Sequence, residues 1–199
     1  MHGLPPVTRT LLAACAVGYL LQMVTAEGLF YHFALWPLGG ASYGPHFEPW
    51  QLVSYGFLHG SFTHLLFNGF ALYMFGPELE RLLGPTRFTI YYFTCVIGAA
   101  LAQLLVIPLL GIEPAPTVGA SGGIFGLLLA FGLAWPQRKL MLLFPPIPMP
   151  AWLFVTLYGL TELVLGVTGT QQGVAHFAHL GGMVGGFLLV LYWRVRRRA

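Results

Sequence analysis

Aspartate occurs nowhere in the 199 residues, and asparagine occurs once, at Asn68. Charged side chains of every kind make up 8%, against about 25% in an ordinary soluble domain. So few charges cannot cover a soluble surface of this size, and a water-soluble globular fold is not the expected class. Apolar residues make up 57%. They fall in continuous runs rather than in the alternation of a membrane barrel, which points to membrane helices. The two cysteines, Cys15 and Cys95, both sit inside apolar runs and read as buried small residues, not as a disulfide. The net charge of +3 includes no basic stretch interleaved with a stacking surface, so nucleic acid is not an expected partner. Paired intramembrane charges and internal repeats are also missing, which argues against a small transporter or channel.

Six runs are long and apolar enough for a hydrocarbon core of ~30 Å, which takes about 20 residues to cross. They lie near 9–27, 58–77, 87–110, 119–135, 150–168 and 174–193. The prediction is an all-α membrane protein, a six-transmembrane-helix bundle forming a single domain over residues 1–199. The fourth run is short and starts inside the membrane at a glycine-rich stretch. Segment 29–57, with Trp36, Pro37, Pro45, Pro49 and Trp50, predicts a long first loop at the interface, where tryptophan is enriched. The prolines of FPPIPMP (144–150) exclude a continuous helix between the fourth and fifth runs. Arg9, an apolar run and the small residues near Ala26 have the layout of a signal peptide, but the run is long for an h-region and is read as a span.

The nine cations are Arg9, Arg81, Arg87, Arg138, Lys139, Arg194, Arg196, Arg197 and Arg198. In a six-span arrangement all of them fall at the amino terminus, the second loop, the fourth loop or the carboxyl terminus. Those four places share one side, which predicts both termini in the cytoplasm. The expected location is the inner (plasma) membrane of a cell, in a minimal, bacterial form of the core.

Polar groups inside a membrane are costly, so each is a functional candidate. Four stand out: His64 and Asn68 on the second run, Ser121 on the fourth and His179 on the sixth. His64 and Asn68 are four apart and share a helix face. At 1.5 Å per residue, Ser121, His179 and His64 all lie ~21–22 Å from the cytoplasmic end of their helix, and Asn68 lies ~15 Å from it. Three helices therefore bring hydroxyl, imidazole and amide to a similar level. Gly122 and Gly126, and Gly181, Gly182, Gly185 and Gly186, give both helices the spacing that lets backbones approach closely. If they pack there, Ser121 and His179 come within hydrogen-bond reach. Gly119-Ala-Ser-Gly-Gly123 fits the G-x-S-x-G pattern of soluble hydrolases, but that elbow needs a preceding strand, and this stretch opens a membrane helix. The H-E-x-x-H pattern of metalloproteases does not occur. A metal held by His176 and His179 with His59 or His64 is disfavoured, since no carboxylate or thiol is placed to join them.

Taken together these residues resemble the rhomboid family of intramembrane serine proteases. GASGGIFG (119–126) is similar to its serine motif, AHLGGMVGG (178–186) to its histidine motif, HGSFTHLLFN (59–68) to its second-span motif and ELERLLG (78–84) to the acidic stretch that closes that span. Trp50 stands where the family has a Trp-Arg pair, with Gln51 in place of the arginine.

The resemblance implies Ser121 as nucleophile and His179 as general base, with His64 and Asn68 at the oxyanion. Only His179, not His176, has glycines at the third and seventh following positions, Gly182 and Gly186. With no aspartate to orient the base, a Ser-His dyad is expected. Phe125, one turn beyond Ser121, is either the ring the imidazole rests on or ordinary core. Glu162 is expected to make a structural hydrogen bond rather than to orient the base. The third loop, GIEPAPTVGAS, is expected to re-enter the membrane and open a wet cavity. The implied substrates are membrane-anchored proteins with a helix-destabilising, small-residue stretch in the membrane, and no cofactor or metal is implied. The alternative is an inactive protein of the same fold that binds client transmembrane helices.

Overall fold

The computed structural model describes residues 3–25, 27–39, 44–113, 115–141, 146–170 and 173–196. Arg197, Arg198, Pro114 and residues 142–145, which include the first two of the proline-rich stretch, lie outside them. The described residues form helices α1 (Pro6–Val24), α2 (Gly28–Phe33), α3 (Gln51–Ser54), α4 (Phe62–Leu83), α5 (Pro85–Leu109), α6 (Ser121–Ala134), α7 (Ala151–Thr168) and α8 (His176–Arg196). A short antiparallel hairpin, β1 (Lys139–Met141) with β2 (Pro148–Pro150), joins α6 to α7 and pairs Leu140 with Met149. It is the one departure from an all-helical chain among the described residues. Prolines bar the helix there, but two extended segments still pair.

Four helices, α1, α5, α7 and α8, are long and apolar enough to cross a membrane. Helix α4 has 22 residues, but its His64, Asn68, Glu78, Glu80 and Arg81 dilute its hydropathy. Helix α6 has 14 residues, which at 1.5 Å each is ~21 Å. The helix faces turned outward are apolar: Leu66, Phe67 and Phe70 on α4, Leu160, Leu163 and Val164 on α7, Val184, Leu188 and Leu191 on α8 are all exposed. The buried set instead includes Gln51, His59, Asn68, Glu80, Glu162, His176 and His179. Water would not tolerate an apolar exterior this continuous, and lipid favours it. The chain is an integral membrane protein.

Helix α6 runs through the middle. Its residues from Gly122 to Leu128 are all buried, as expected of a helix that is apolar all round. Small residues set the spacing of its neighbours. A Cβ on Gly98 of α5 would lie 2.9 Å from the Gly181 carbonyl oxygen, and one on Gly126 of α6 would lie 3.1 Å from the Gly182 oxygen. Helix α8 therefore packs against α5 and α6 at once. Gly84, at φ +77°, ends α4 and starts α5, so one left-handed residue makes the whole reversal.

Helix α1 is tied down by a residue 72 positions away. Its early amides have no partner within the helix. Glu80 supplies one, accepting from Val7 N at 2.9 Å, Thr8 N at 2.7 Å and Thr8 Oγ1 at 2.7 Å. The carboxylate is 2% exposed and also faces the positive end of the α1 dipole. Glu80→Gln keeps the shape and one acceptor but loses the charge. It is expected to cost about 1–3 kcal/mol, read as a lower thermal midpoint in detergent.

The first loop is more ordered than an interfacial excursion. Gln51 is 1% exposed. Its Oε1 accepts from Trp36 N at 3.1 Å and Glu48 N at 3.2 Å, and its Nε2 donates to the His32 carbonyl at 3.3 Å. A neutral amide thus stitches α2, α3 and the loop between them where the family resemblance would place an arginine. Leu35 and Thr117 exchange backbone hydrogen bonds at 2.9 and 3.0 Å, fastening this loop to the segment that leads into α6.

Candidate active site

Ser121 is the first residue of α6, and Ala120 before it is fully buried. Gly119 has φ +126°, a conformation closed to ordinary side chains, and a Cβ there would lie 2.7 Å from His64 Cε1 and 2.8 Å from His64 Nε2. Two demands, backbone and space, therefore meet on that glycine. Its amide donates to the Tyr55 carbonyl at 3.0 Å. The turn sets the Ser121 side chain at the mouth of the helix, half-buried, beside the His64 ring.

His179 lies one turn into α8 and is 8% exposed. Its Nε2 is 2.8 Å from Ser121 Oγ. Its ring stacks on Phe125 with centroids 4.2 Å apart and planes 6° from parallel. Phe125 is one turn along α6 from Ser121, so the helix that presents the hydroxyl also presents the surface on which the imidazole lies. Of the two readings open for Phe125, the geometry gives the stacked ring.

His64 sits in the first turn of α4. Ser61 caps that helix by accepting from His64 N at 3.1 Å. Gly60 N donates to His64 Nδ1 at 3.4 Å, which favours the ring proton on Nε2, the nitrogen on the Gly119 side of the ring. Asn68 is buried one turn later, and its Nδ2 donates to the His64 carbonyl at 2.9 Å. That bond uses one of the two amide protons.

All four candidates from the sequence are thus placed, with Ser121 and His179 in contact and His64 and Asn68 on one helix beside them. Two further residues join them unexpectedly. Glu162 of α7 puts Oε2 2.9 Å from His179 Nδ1 and 2.6 Å from His176 Nδ1. The hydrogen bond expected of Glu162 is present, and one of its partners is the candidate base itself. His176, set aside in favour of His179 by its glycine spacing, is 6% exposed and turned to the same carboxylate. Glu162, His176 and His179 each offer an atom within 4.8 Å of the others, a spacing that also suits a metal ligand set. The carboxylate disfavoured as missing in the metal reading is therefore present. His59, another candidate in that reading, packs edge-on against His64 with centroids 5.2 Å apart and lies outside this trio.

A family model described as the Rhomboid domain matches residues 46–196. The chain belongs to the rhomboid family. The Bacillus subtilis protein YdcA, named provisionally as a rhomboid protease, is 33% identical over 92% of this chain and 86% of its own length. The rhomboid protease GlpG of Serratia proteamaculans is 28% identical over 98% of this chain, which spans 64% of that protein. Rhomboid protein 1, mitochondrial, of Saccharomyces cerevisiae is 32% identical over 71% of this chain and 41% of its own length. As a rhomboid, the chain is a serine protease of the membrane.

In this rhomboid the site is chemically asymmetric. One side holds acceptors in series: the Glu162 carboxylate, then the imidazole of His179. The other side holds donors: the His64 Nε2 proton, the remaining Asn68 proton and the first amides of α6, which have no partner inside the helix. The Ser121 hydroxyl lies between them. That layout suits a reaction in which a proton leaves one way and negative charge builds on the other.

Proposed function

We propose that the chain is an intramembrane serine endopeptidase that cuts transmembrane segments of membrane-anchored proteins, with Ser121 as nucleophile and His179 as general base. The 2.8 Å contact between His179 Nε2 and Ser121 Oγ carries this reading. A serine hydroxyl is a weak nucleophile until a base takes its proton. As Oγ bonds to the scissile carbonyl carbon, its proton passes to Nε2. The carbonyl oxygen becomes an oxyanion. His64 Nε2–H, the free Asn68 proton and the Ser121 amide stabilise it, with the amino-terminal dipole of α6 behind them. Collapse breaks the carbon–nitrogen bond, and His179 returns the proton to the leaving amine. Water then repeats the sequence on the acyl-enzyme.

A transmembrane helix hides its peptide bonds in its own hydrogen bonds, so a substrate must carry a stretch that unwinds easily. Residues that destabilise helices in the membrane supply it. No cofactor enters the scheme. Six spans and cytoplasmic termini in the inner membrane remain the proposed topology. The ends of α4, α6 and α8 and the start of α5 meet around one hollow, lined by Leu83, Tyr91, Ala134 and Arg194 among others, which supports that alternation. Arg87 lies over Trp193 and Arg138 over Trp135, each at 5.9 Å, as cations beside an aromatic belt do.

The test is cleavage of a labelled transmembrane substrate by purified protein, alongside covalent labelling by a fluorophosphonate. Labelling of the wild type and not of Ser121→Ala supports the assignment. No cleavage and no labelling by the wild type would instead favour a client-binding protein. His64→Ala is expected to lower kcat by about 10²–10³-fold with little change in KM, since it removes one oxyanion donor.

A further inference from the structure

We propose that Glu162, braced by His176, is the positioning residue for His179, so that the site works as a Ser-His-Glu triad rather than the expected dyad. The inference rests on the assignment of Ser121 and His179 above.

Stacking alone cannot orient this base. The Phe125 ring fixes the plane of the imidazole at 4.2 Å and 6°. A half-turn about the Cβ–Cγ bond leaves the ring in that same plane while exchanging Nδ1 with Cδ2 and Nε2 with Cε1. The stack is indifferent to that turn, and it is equally indifferent to which nitrogen carries the proton. A hydrogen bond at Nδ1 decides both. Glu162 Oε2, 2.9 Å from Nδ1, accepts that proton and leaves Nε2 bare toward the Ser121 hydroxyl at 2.8 Å. When Nε2 takes the serine proton, the ring becomes a cation beside a carboxylate, and the charge forms where an opposite charge already stands.

The carboxylate is itself held. His176 Nδ1 donates to the same Oε2 at 2.6 Å, from one turn before His179 on α8. Glu162, His176 and His179 are 8%, 6% and 8% exposed, so bulk water does not compete for these bonds. Among the described residues His176 Nε2 has no partner, and the one polar contact of the side chain there is Glu162. A purely structural carboxylate would serve both imidazoles equally. A positioning carboxylate matters to turnover far more than to the fold.

The test compares wild type, Glu162→Gln, Glu162→Asp and Ser121→Ala in detergent, measuring kcat, KM, fluorophosphonate labelling rate and thermal midpoint. Glu162→Gln is nearly isosteric. Its amide either donates to Nδ1 and imposes the wrong tautomer, or accepts without a charge to stabilise the imidazolium. Its kcat is expected to fall by about 10²–10⁴-fold, with labelling slowed in parallel, KM close to wild type and a midpoint lowered no further than that of Glu80→Gln, which loses the same charge away from Ser121. Glu162→Asp, which restores the charge on a shorter arm, is expected to recover part of the loss. His176→Ala is expected to cost less than Glu162→Gln, in the same direction. Unchanged kcat in Glu162→Gln, or a loss explained by a collapsed midpoint and not recovered by Asp, would overturn the proposal. So would wild-type activity that falls in EDTA and returns with zinc, which would make the trio a metal site. If Ser121→Ala keeps cleaving, the parent assignment fails instead, and the two failures stay distinct.

Discussion

Ser121→Ala is expected to lower kcat by about 10⁶-fold, to the background of the assay, while the protein stays folded. Among the described residues, Ser121 is the one hydroxyl in hydrogen-bond contact with His179 Nε2. The structural cost of the change is small by comparison. Ser121 is half-buried at the first position of α6, where the side chain is not part of the packed core, and one lost hydrogen bond is worth about 1 kcal/mol. A loss of ~8 kcal/mol in transition-state stabilisation against ~1 kcal/mol in stability makes this the cleanest separation of function from fold in the molecule. His179→Ala is expected to be as inactive, and the double change no worse than either, because the two groups act as one unit. It will be less clean. It removes a ring stacked on Phe125 and leaves Glu162 with one donor in a buried place, so its thermal midpoint falls as well. Cleavage surviving in Ser121→Ala, measured on the same substrate, would show that the hydroxyl is a packing group.

Much of this site was legible in the sequence because lipid makes polar residues conspicuous. Against a background of 8% charge, Ser121, His64, Asn68 and His179 stand out by type alone, and counting along straight helices puts Ser121, His64 and His179 at one depth, with Asn68 about a turn deeper. Helix α4 shows where such counting drifts. It begins at Phe62, because Ser61 provides a cap, and it runs on through Pro77 to Leu83, well beyond the apolar run. Hydropathy marks where lipid is, not where hydrogen bonding ends. The partner of the base was harder to see. Glu162 lies on α7, 17 positions from His179, and a single sequence holds no signal for the rotation of one helix against another. The number of carboxylates was the clue available. With no aspartate in the chain and Glu162 alone deep in an apolar run, a buried acid needs a buried partner, and His176 and His179 were the candidates within reach. Gln51 was opaque for a related reason. Its three hydrogen bonds are to backbone groups of a loop whose path no periodicity describes.

The largest loss of stability is expected from a single methyl group at Gly182. Two effects oppose each other there. Alanine is the better helix former by about 1 kcal/mol, so on propensity alone Gly182→Ala in the middle of α8 would stabilise the protein. Space decides otherwise. A Cβ at Gly182 would run into the carbonyl oxygen of Gly122, with the carbonyl carbon at 2.7 Å and the Gly122 Cα at 3.2 Å. These are backbone atoms near the start of α6, and they cannot swing aside as a side-chain tip does. The helices must part, and α8 cannot retreat freely, because on its other side a Cβ at Gly181 would lie 2.6 Å from the Gly98 oxygen and one at Gly185 3.1 Å from the Thr94 oxygen, both backbone atoms of α5. The cost is expected at or above the top of the ~1–3 kcal/mol usual for overpacking, well beyond the propensity gain. Activity should fall with it. Gly122 is the neighbour of Ser121 and Gly182 is one turn from His179, so the contact that must widen is the one that sets the 2.8 Å hydrogen bond between them. A displacement of about 1 Å in such a pair is enough for ~10²-fold in rate. Gly28→Ala at the start of α2, where a Cβ would meet nothing within 4 Å, is the matched control and is expected to change neither midpoint nor kcat. Thermal unfolding and fluorophosphonate labelling of the two variants side by side would decide it. A Gly182→Ala protein with wild-type midpoint and labelling rate would mean that α6 and α8 are not packed backbone to backbone, and the proximity of Ser121 to His179 would lose its physical basis.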